Sequence, residues 1–323
     1  MLERLRRKAQ NLVWLEFQSH DRFPNFNLDI SPEELELELA KIPAPLFLGR
    51  YNEEQIRIKL ERHKILPTLR AQGFHPLILE VESDGLIEHR VVIHTGEMRY
   101  DKILVELRLR EGVFKVKEAV SRTHPELMKL LPMETVAMLW IDWLLLQNPL
   151  LKFSEQKPPL PEQKYPGLGV LNLVVPLIGE FASETYKQAV LDIPEHFHGA
   201  VFYAKWMRFF NPEMEGKLKA ILRDLAKYNL ALISWGIKLG GLVNTKKGYF
   251  EDWKPGEQIY ALSPGLRNYF ESSLYKELSE QAYIENVYDL DLSRIKTKAK
   301  LLEPEEEMHL KMVLKGLKEV ENG

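Results

Sequence analysis

Apolar and polar positions alternate along three neighbouring stretches of the chain, at residues 77–82, 90–94 and 103–110. Such a period of two residues predicts strands with one face on a core. Ser83-Asp84-Gly85 supplies a turn between the first two stretches, and Thr95-Gly96 leads from the second to the third. The pattern therefore predicts an antiparallel meander.

Helical spacing precedes the meander. Residues 52–72 are predicted to form a helix that ends at Gly73, with Pro67 expected to kink or divide it. Residues 1–17 also have a helical pattern, and Ser31 is suited to cap a short helix. These elements predict an N-terminal helical extension over residues 1–51.

The rest of the chain predicts a mixed arrangement of helices and strands. We expect a helical insertion at about 113–160, notably over 133–147, and a C-terminal region of mixed helix and strand over 213–323. The remaining predicted elements are helices at 170–186, after Pro194, and at 212–228, 264–270 and 304–320, and strands at 189–193, 230–239 and 257–262. The predicted fold class is α/β (α+β), a mixed central sheet flanked by helices.

The segment most informative about chemistry begins at Lys164-Tyr165-Pro166-Gly167-Leu168-Gly169. Two glycines at the head of a helix allow backbone N–H groups to approach a phosphate, which the positive end of the helix dipole favours. An ordinary glycine turn before a helix is the alternative.

This segment resembles the phosphate loop of the GNAT N-acyltransferases, in which Arg or Gln, two residues, Gly, one residue and Gly or Ala follow the fourth strand. Lys164 stands in the Arg or Gln place. In that family the loop opens a helix, and a fifth strand and a second helix follow. The run from His196 to Tyr203 is similar to the start of that second helix, although His196 and Gly199 replace the family's Asn and Ala. The resemblance covers residues 52–212.

The resemblance implies direct transfer of an acyl group from acetyl-CoA, or another acyl-CoA, to an amine, with a backbone N–H of the splayed fourth strand polarising the thioester carbonyl. Tyr203 would be the general acid for the leaving thiolate, and Glu106, on the expected fourth strand, the general base. Tyr203 as a packing aromatic and Glu106 as a surface carboxylate flanked by arginines are the alternatives. The expected coenzyme A contacts are Lys164, Gly167, Leu168, Gly169, Val170 and His196.

Two other functions compete with acyl transfer. A non-catalytic GNAT-like module that binds coenzyme A or a protein is the first. The second is a metal-dependent hydrolase that uses Glu195, His196 and His198. Because no further ligands have a supporting spacing, we expect no metal.

Composition restricts the remaining possibilities. The 323 residues contain no cysteine, which excludes disulfides, thiolate metal sites and a cysteine nucleophile. The 44 basic and 47 acidic residues are mixed along the chain, which argues against a dedicated nucleic-acid surface. No apolar run reaches the length of a membrane span, so we expect a cytoplasmic protein. The expected partner is a small-molecule or peptide amine, and a homo-oligomer stays open.

Overall fold

The computed structural model describes residues 45–85, 87–120, 124–131 and 133–320. The helices predicted for residues 1–17 and after Ser31 lie outside these residues. The fold class is α+β, as predicted. None of the described helices is both long enough and apolar enough to cross a membrane.

Two helices precede the first three strands, and helices and strands are interspersed along the rest of the described chain. The strands are β1 (Leu77–Ser83), β2 (Glu88–Thr95), β3 (Ile103–Lys115), β4 (Thr135–Leu146), β5 (Ala189–Asp192), β6 (Arg208–Phe209), β7 (Leu242–Asn244), β8 (Tyr249–Phe250), β9 (Gln258–Ala261) and β10 (Tyr288–Leu290). The helices are α1 (Glu53–Arg62), α2 (Ile65–Ala71), α3 (Val116–Val120), α4 (Leu171–Glu184), α5 (Phe197–Tyr203), α6 (Pro212–Asp224), α7 (Leu230–Lys238), α8 (Pro264–Glu271), α9 (Ser273–Glu285), α10 (Leu292–Ala299) and α11 (Pro304–Val320).

Within the described residues, seven strands form the main sheet in the order β1-β2-β3-β4-β5-β9-β6. The predicted meander is confirmed, since β1, β2 and β3 pair antiparallel. β4 and β5 pair parallel, and the other neighbours pair antiparallel. The described residues also form a three-stranded sheet, β10-β7-β8. The predicted boundary at residue 212 stays a prediction, although β9 lies beyond it and completes the main sheet.

Apolar side chains cover both faces of the main sheet. Leu139 of β4 and Val190 of β5 pack with α1, α2 and α4 on one face. Met138 and Leu191 belong to the cluster on the opposite face, with side chains of α8 and α9. Because side chains alternate along a strand, residue 192 lies on the same face as Val190, which is the face covered by α4.

The predicted helical insertion at 113–160 is wrong. Residues 103–115 form one continuous strand, and 135–146 form β4 rather than a helix. β4 lies between two covered faces, so its sequence is a nearly continuous apolar run without the alternation of a half-exposed strand. The fourth strand is therefore β4, and the strand that holds Glu106 is the third.

The predictions elsewhere are mostly confirmed. The helix expected over 52–72 is divided, but the break lies at His63 and Lys64, where Lys64 has a φ of +60°, rather than at Pro67. The strand expected at 230–239 is wrong, because α7 occupies residues 230–238. The expected helices at 170–186 and after Pro194 and the strand at 189–193 correspond to α4, α5 and β5.

Candidate functional site

The parallel strands β4 and β5 are paired over only part of their length. Residues 138–140 of β4 pair with residues 189–191 of β5, and β4 then continues for six residues to Leu146. A bulge at Asp142 interrupts the pairing of β4 with β3 just beyond the last of these pairs. β5 ends at Asp192, and Pro194 follows. The pairing of the two strands therefore ends next to Asp142 and Asp192.

Asp192 is a buried carboxyl group without a neutralising partner. Its exposure is 8%, and its Oδ2 has no hydrogen-bond partner. Burial, followed by the negative charge of Asp142, raises the pKa of Asp192 to about 7. Asp142 itself pairs with Arg110, whose Nε lies 2.8 Å from Asp142 Oδ2. A carboxyl group with such a pKa can exchange a proton near neutral pH.

Tyr203 lies within electrostatic reach of Asp192. It is the last residue of α5, and its ring packs on the apolar cluster that includes Leu168 and Val170. The ring keeps partial exposure, and burial around the hydroxyl, followed by the charge of Asp192, raises the pKa of Tyr203 well above its usual value. The phenol therefore stays protonated. No hydrogen bond of this hydroxyl is found in the described part of the chain.

The loop before α4 is attached to the end of β4. The backbone N–H of Asn148 donates to Pro166 O at 2.7 Å, and that of Leu168 donates to Leu146 O at 3.3 Å. Gly167 forms a bridge with Gln147. Gly169 has a φ of +75°, a conformation that favours glycine. The loop thus places the first turn of α4 beside the half of β4 that does not pair with β5.

The first turn of α4 has open backbone donors. Val170 is the N-cap residue and provides no side-chain hydrogen bond. In the described residues, no acceptor is found for the N–H groups of residues 169–172. Six other helices do have a capping side chain, from Asn52, Asn211, Asn229, Ser263, Ser272 and Asp291. No atom lies within 4 Å of the position that a Cβ would take at Gly169. An anion can therefore approach the free N–H groups of this uncapped first turn.

A hydrogen bond connects this turn to the segment after Tyr203. Lys205 Nζ donates to Asn172 Oδ1 at 3.0 Å. The first turn of α4, the ring of Tyr203 and, through its charge, Asp192 therefore belong to one site. Lys205 adds a positive charge beside the open N–H groups, which would favour a phosphate further.

The structure places only some of the predicted site residues here. Gly167, Gly169, Val170 and Tyr203 lie at the site, whereas the N–H of Leu168 is already used by Leu146 O. Lys164 lies with its Nζ 5.9 Å from the centre of the Tyr100 ring, and no contact joins it to α4 in the described residues.

Glu106 has a different environment from the predicted one. It is on β3 rather than on the fourth strand, and it is 3% exposed. Its Oε1 accepts from Arg90 Nε at 2.7 Å and from Arg108 Nη2 at 2.7 Å. These two guanidinium groups lower the pKa of Glu106 against the effect of its burial. A carboxylate held in this way is a poor proton acceptor.

His196 is the N-cap residue of α5, at the end of the helix opposite Tyr203. Its Nε2 lies 3.0 Å from Glu162 Oε2, and its ring stacks on His198 with the ring centres 5.3 Å apart. Both rings line a cavity next to α7 rather than the first turn of α4. Among the residues that the structure describes, no group of three or more carboxylates and imidazoles is arranged to hold a metal ion.

Sequence reasoning missed Asp142, Asp192 and Lys205. A signal was present for Asp192, because an aspartate ends an otherwise apolar strand and a buried carboxyl group is retained when it is paired or has a role.

Comparison of the chain with models of protein families, with curated proteins and with solved structures finds no match. The class that the site defines therefore rests on its own geometry.

Proposed function

We propose that the protein is an N-acyltransferase of GNAT type, which transfers an acyl group from acetyl-CoA or another acyl-CoA to an amine. The observation that carries the proposal is the buried, unpartnered carboxyl group of Asp192, which lies within electrostatic reach of Tyr203 where the pairing of β4 with β5 ends. The order of fourth strand, glycine loop, helix, fifth strand and helix supports it, because the resemblance implies this order.

The open N–H groups of residues 169–172 would bind the pyrophosphate of coenzyme A, with Lys205 nearby. The thioester would then extend towards Asp192, where the pairing of β4 with β5 ends. This arrangement replaces the predicted role of the Leu168 amide, because that amide is bonded to Leu146 O.

Asp192 takes over the role that the sequence suggested for Glu106. Its carboxylate would remove one proton from the acceptor ammonium, and the amine nitrogen would attack the thioester carbonyl. When the carbon–sulfur bond breaks, Tyr203 would give its proton to the thiolate and recover one from the nitrogen as the amide forms. The proton on Asp192 returns to solvent, so the products are the amide and the free thiol.

Binding of coenzyme A tests the proposal. At ~100 times its dissociation constant the ligand should stabilise the protein by roughly 2.7 kcal/mol, which a thermal-shift assay measures. Gly169→Glu places bulk and negative charge at the open N–H groups and should abolish the shift. Gly248→Glu is the matched control, since Gly248 also has a positive φ, +76°, and open surroundings but lies in the turn between β7 and β8.

Equal shifts in both variants would place the ligand elsewhere. No shift in the unmodified protein would refute the proposal. A shift without thiol release from acetyl-CoA, over a panel of amines, would instead favour the non-catalytic coenzyme A-binding module.

A further inference from the structure

A second cavity lies at the start of α5, between that helix and α7. Its volume is about 190 Å³, more than ten times the roughly 10–15 Å³ that one water molecule needs, so a small organic ion fits. Its polar and aromatic lining includes Glu195, His196, His198, Lys238, Asp252 and Trp253. α5 has seven residues, so the cavity and the Tyr203 end of the helix are ~10 Å apart.

The positive charge at this cavity is already neutralised. Lys238 Nζ lies 3.1 Å from Glu162 Oε1 and 2.7 Å from Glu306 Oε1. Glu162 also lies within hydrogen-bond distance of His196 Nε2. Glu306 and Glu162 raise the pKa of Lys238 against the effect of its burial. Lys238 and His196 in turn lower the pKa of Glu162 against the effect of its own burial. The lysine is therefore bound by two carboxylates, which leaves little attraction for a further anion.

Two carboxylates at the cavity have no such partner. Glu195 and Asp252 are exposed, and neither has a hydrogen bond or an ion pair. Lys298 Nζ and Asp252 Oδ1 both lie near Gly240, but the two atoms are too far apart to form an ion pair. Because Lys238 is already paired with Glu162 and Glu306, the carboxylates of Glu195 and Asp252 give the lining a net negative charge.

The imidazole of His198 also lines the cavity. Burial, followed by the charge of His196, lowers the pKa of His198 to about 4. The ring is consequently neutral at physiological pH and does not repel a cation. Its Nδ1 is buried without a hydrogen-bond partner. A neutral imidazole can accept a hydrogen bond from an N–H donor.

We propose that this cavity binds a small organic cation that carries N–H donors, an alkylammonium or a guanidinium ion, between Asp252, Glu195 and the ring of Trp253. The indole is held in place because Trp253 Nε1 donates to Pro194 O at 3.2 Å. Aromatic faces attract such cations, and the carboxylates accept hydrogen bonds from their N–H groups. The site does not depend on the acyl-transfer proposal, since none of its lining residues belongs to the site at Tyr203.

Isothermal titration of the full chain with n-butylammonium, methylguanidinium and butyrate, at constant ionic strength, tests the proposal. We expect the two cations to bind and butyrate not to bind. The Asp252→Asn/Glu195→Gln double variant should bind the cations about fivefold more weakly or worse, since exposed charge pairs contribute up to ~1 kcal/mol. Glu280→Gln, which changes an exposed carboxylate without a partner on α9, should leave the affinity unchanged.

Absence of cation binding at ~10 mM, equal binding by the double variant, or equal binding of butyrate would each overturn the proposal. Asp192→Asn distinguishes the two sites. Cation binding that survives this substitution supports a separate cavity, whereas its loss would show that the cation occupies the site at Tyr203. Matching thermal unfolding of the double variant and the unmodified protein would show that any loss of binding is local.

Discussion

Replacing Asp192 by asparagine tests whether this buried carboxyl group titrates near neutral pH. Asparagine has nearly the same shape but no ionisable group. In the folded protein the pKa of Asp192 is about 7, compared with its ordinary value of 3.8, because burial and the charge of Asp142 disfavour the carboxylate. The folded state therefore holds this proton more tightly than the unfolded state does.

The sign and size of the effect follow from that difference in pKa. A raised carboxyl pKa favours the folded state at low pH, and this contribution is lost as the pH rises from about 4 through 7. A shift of roughly three units at 1.36 kcal/mol each gives ~4 kcal/mol. Between pH 4 and pH 8, the free energy of unfolding of the unmodified protein should thus fall by ~4 kcal/mol relative to that of Asp192→Asn.

Urea unfolding of both proteins at a series of pH values measures this difference. Asp142→Asn is a useful comparison, because it removes the second cause of the raised pKa and keeps the burial. In this variant the free energy of unfolding should still fall as the pH rises, but the fall should be complete at a lower pH. A difference between the unmodified protein and Asp192→Asn that does not change with pH would refute the reasoning, since Asp192 would then be ionised throughout and would be a weak base.

Three further substitutions test other contacts. Tyr203→Phe should lower thiol release from acetyl-CoA by at least about tenfold while coenzyme A binding and stability change little, since its hydroxyl makes no hydrogen bond in the described residues; equal rates would remove it from the mechanism. Glu106→Gln should destabilise the protein by about 1–3 kcal/mol in urea, because Arg90 and Arg108 lose the buried carboxylate that they share, although Arg90 keeps its ion pair with Glu82, and should leave coenzyme A binding intact; a selective loss of turnover would restore the predicted catalytic role. Gly216→Ala should cost about 1–3 kcal/mol of unfolding free energy, because a methyl group on α6 would overlap the Ser279 carbonyl oxygen of α9; unchanged stability would mean that the two helices separate easily.

The sequence predicted the strands of the meander correctly, and it predicted the wrong type of element for two nearly continuous apolar segments. The meander alternates because one face of its strands carries core side chains such as Leu79 and Val91, whereas the other face carries ion-paired residues such as Glu80, Arg90 and Glu106. Residues 135–146 and 230–238 are nearly continuous apolar runs, so neither the two-residue nor the 3.6-residue period is visible in them. The first was predicted as a helix and the second as a strand, and the structure has the reverse.

One of these errors carried over into the predicted site. With β4 read as a helix, the strand of Glu106 became the fourth strand, and Glu106 became the expected base. The glycine loop was located correctly because its signal is local, a pair of glycines before a helix. The position of Asp192 beside Tyr203 depends on the pairing of β5 with β4 and on the turn into α5, which are long-range contacts that no local pattern encodes.

The short helix α5 separates two chemically different environments. At its C-terminal end Tyr203 lies near Asp192, whose carboxyl group lacks a partner and has a raised pKa. At its N-terminal end His198 lies in a lining where burial lowers the imidazole pKa. Burial thus favours the neutral form of the acid and of the base alike. Of these two groups, Asp192 has a pKa of about 7 and His198 one of about 4, so a rate that depends on Asp192 should rise with pH through about 7 without a contribution from His198.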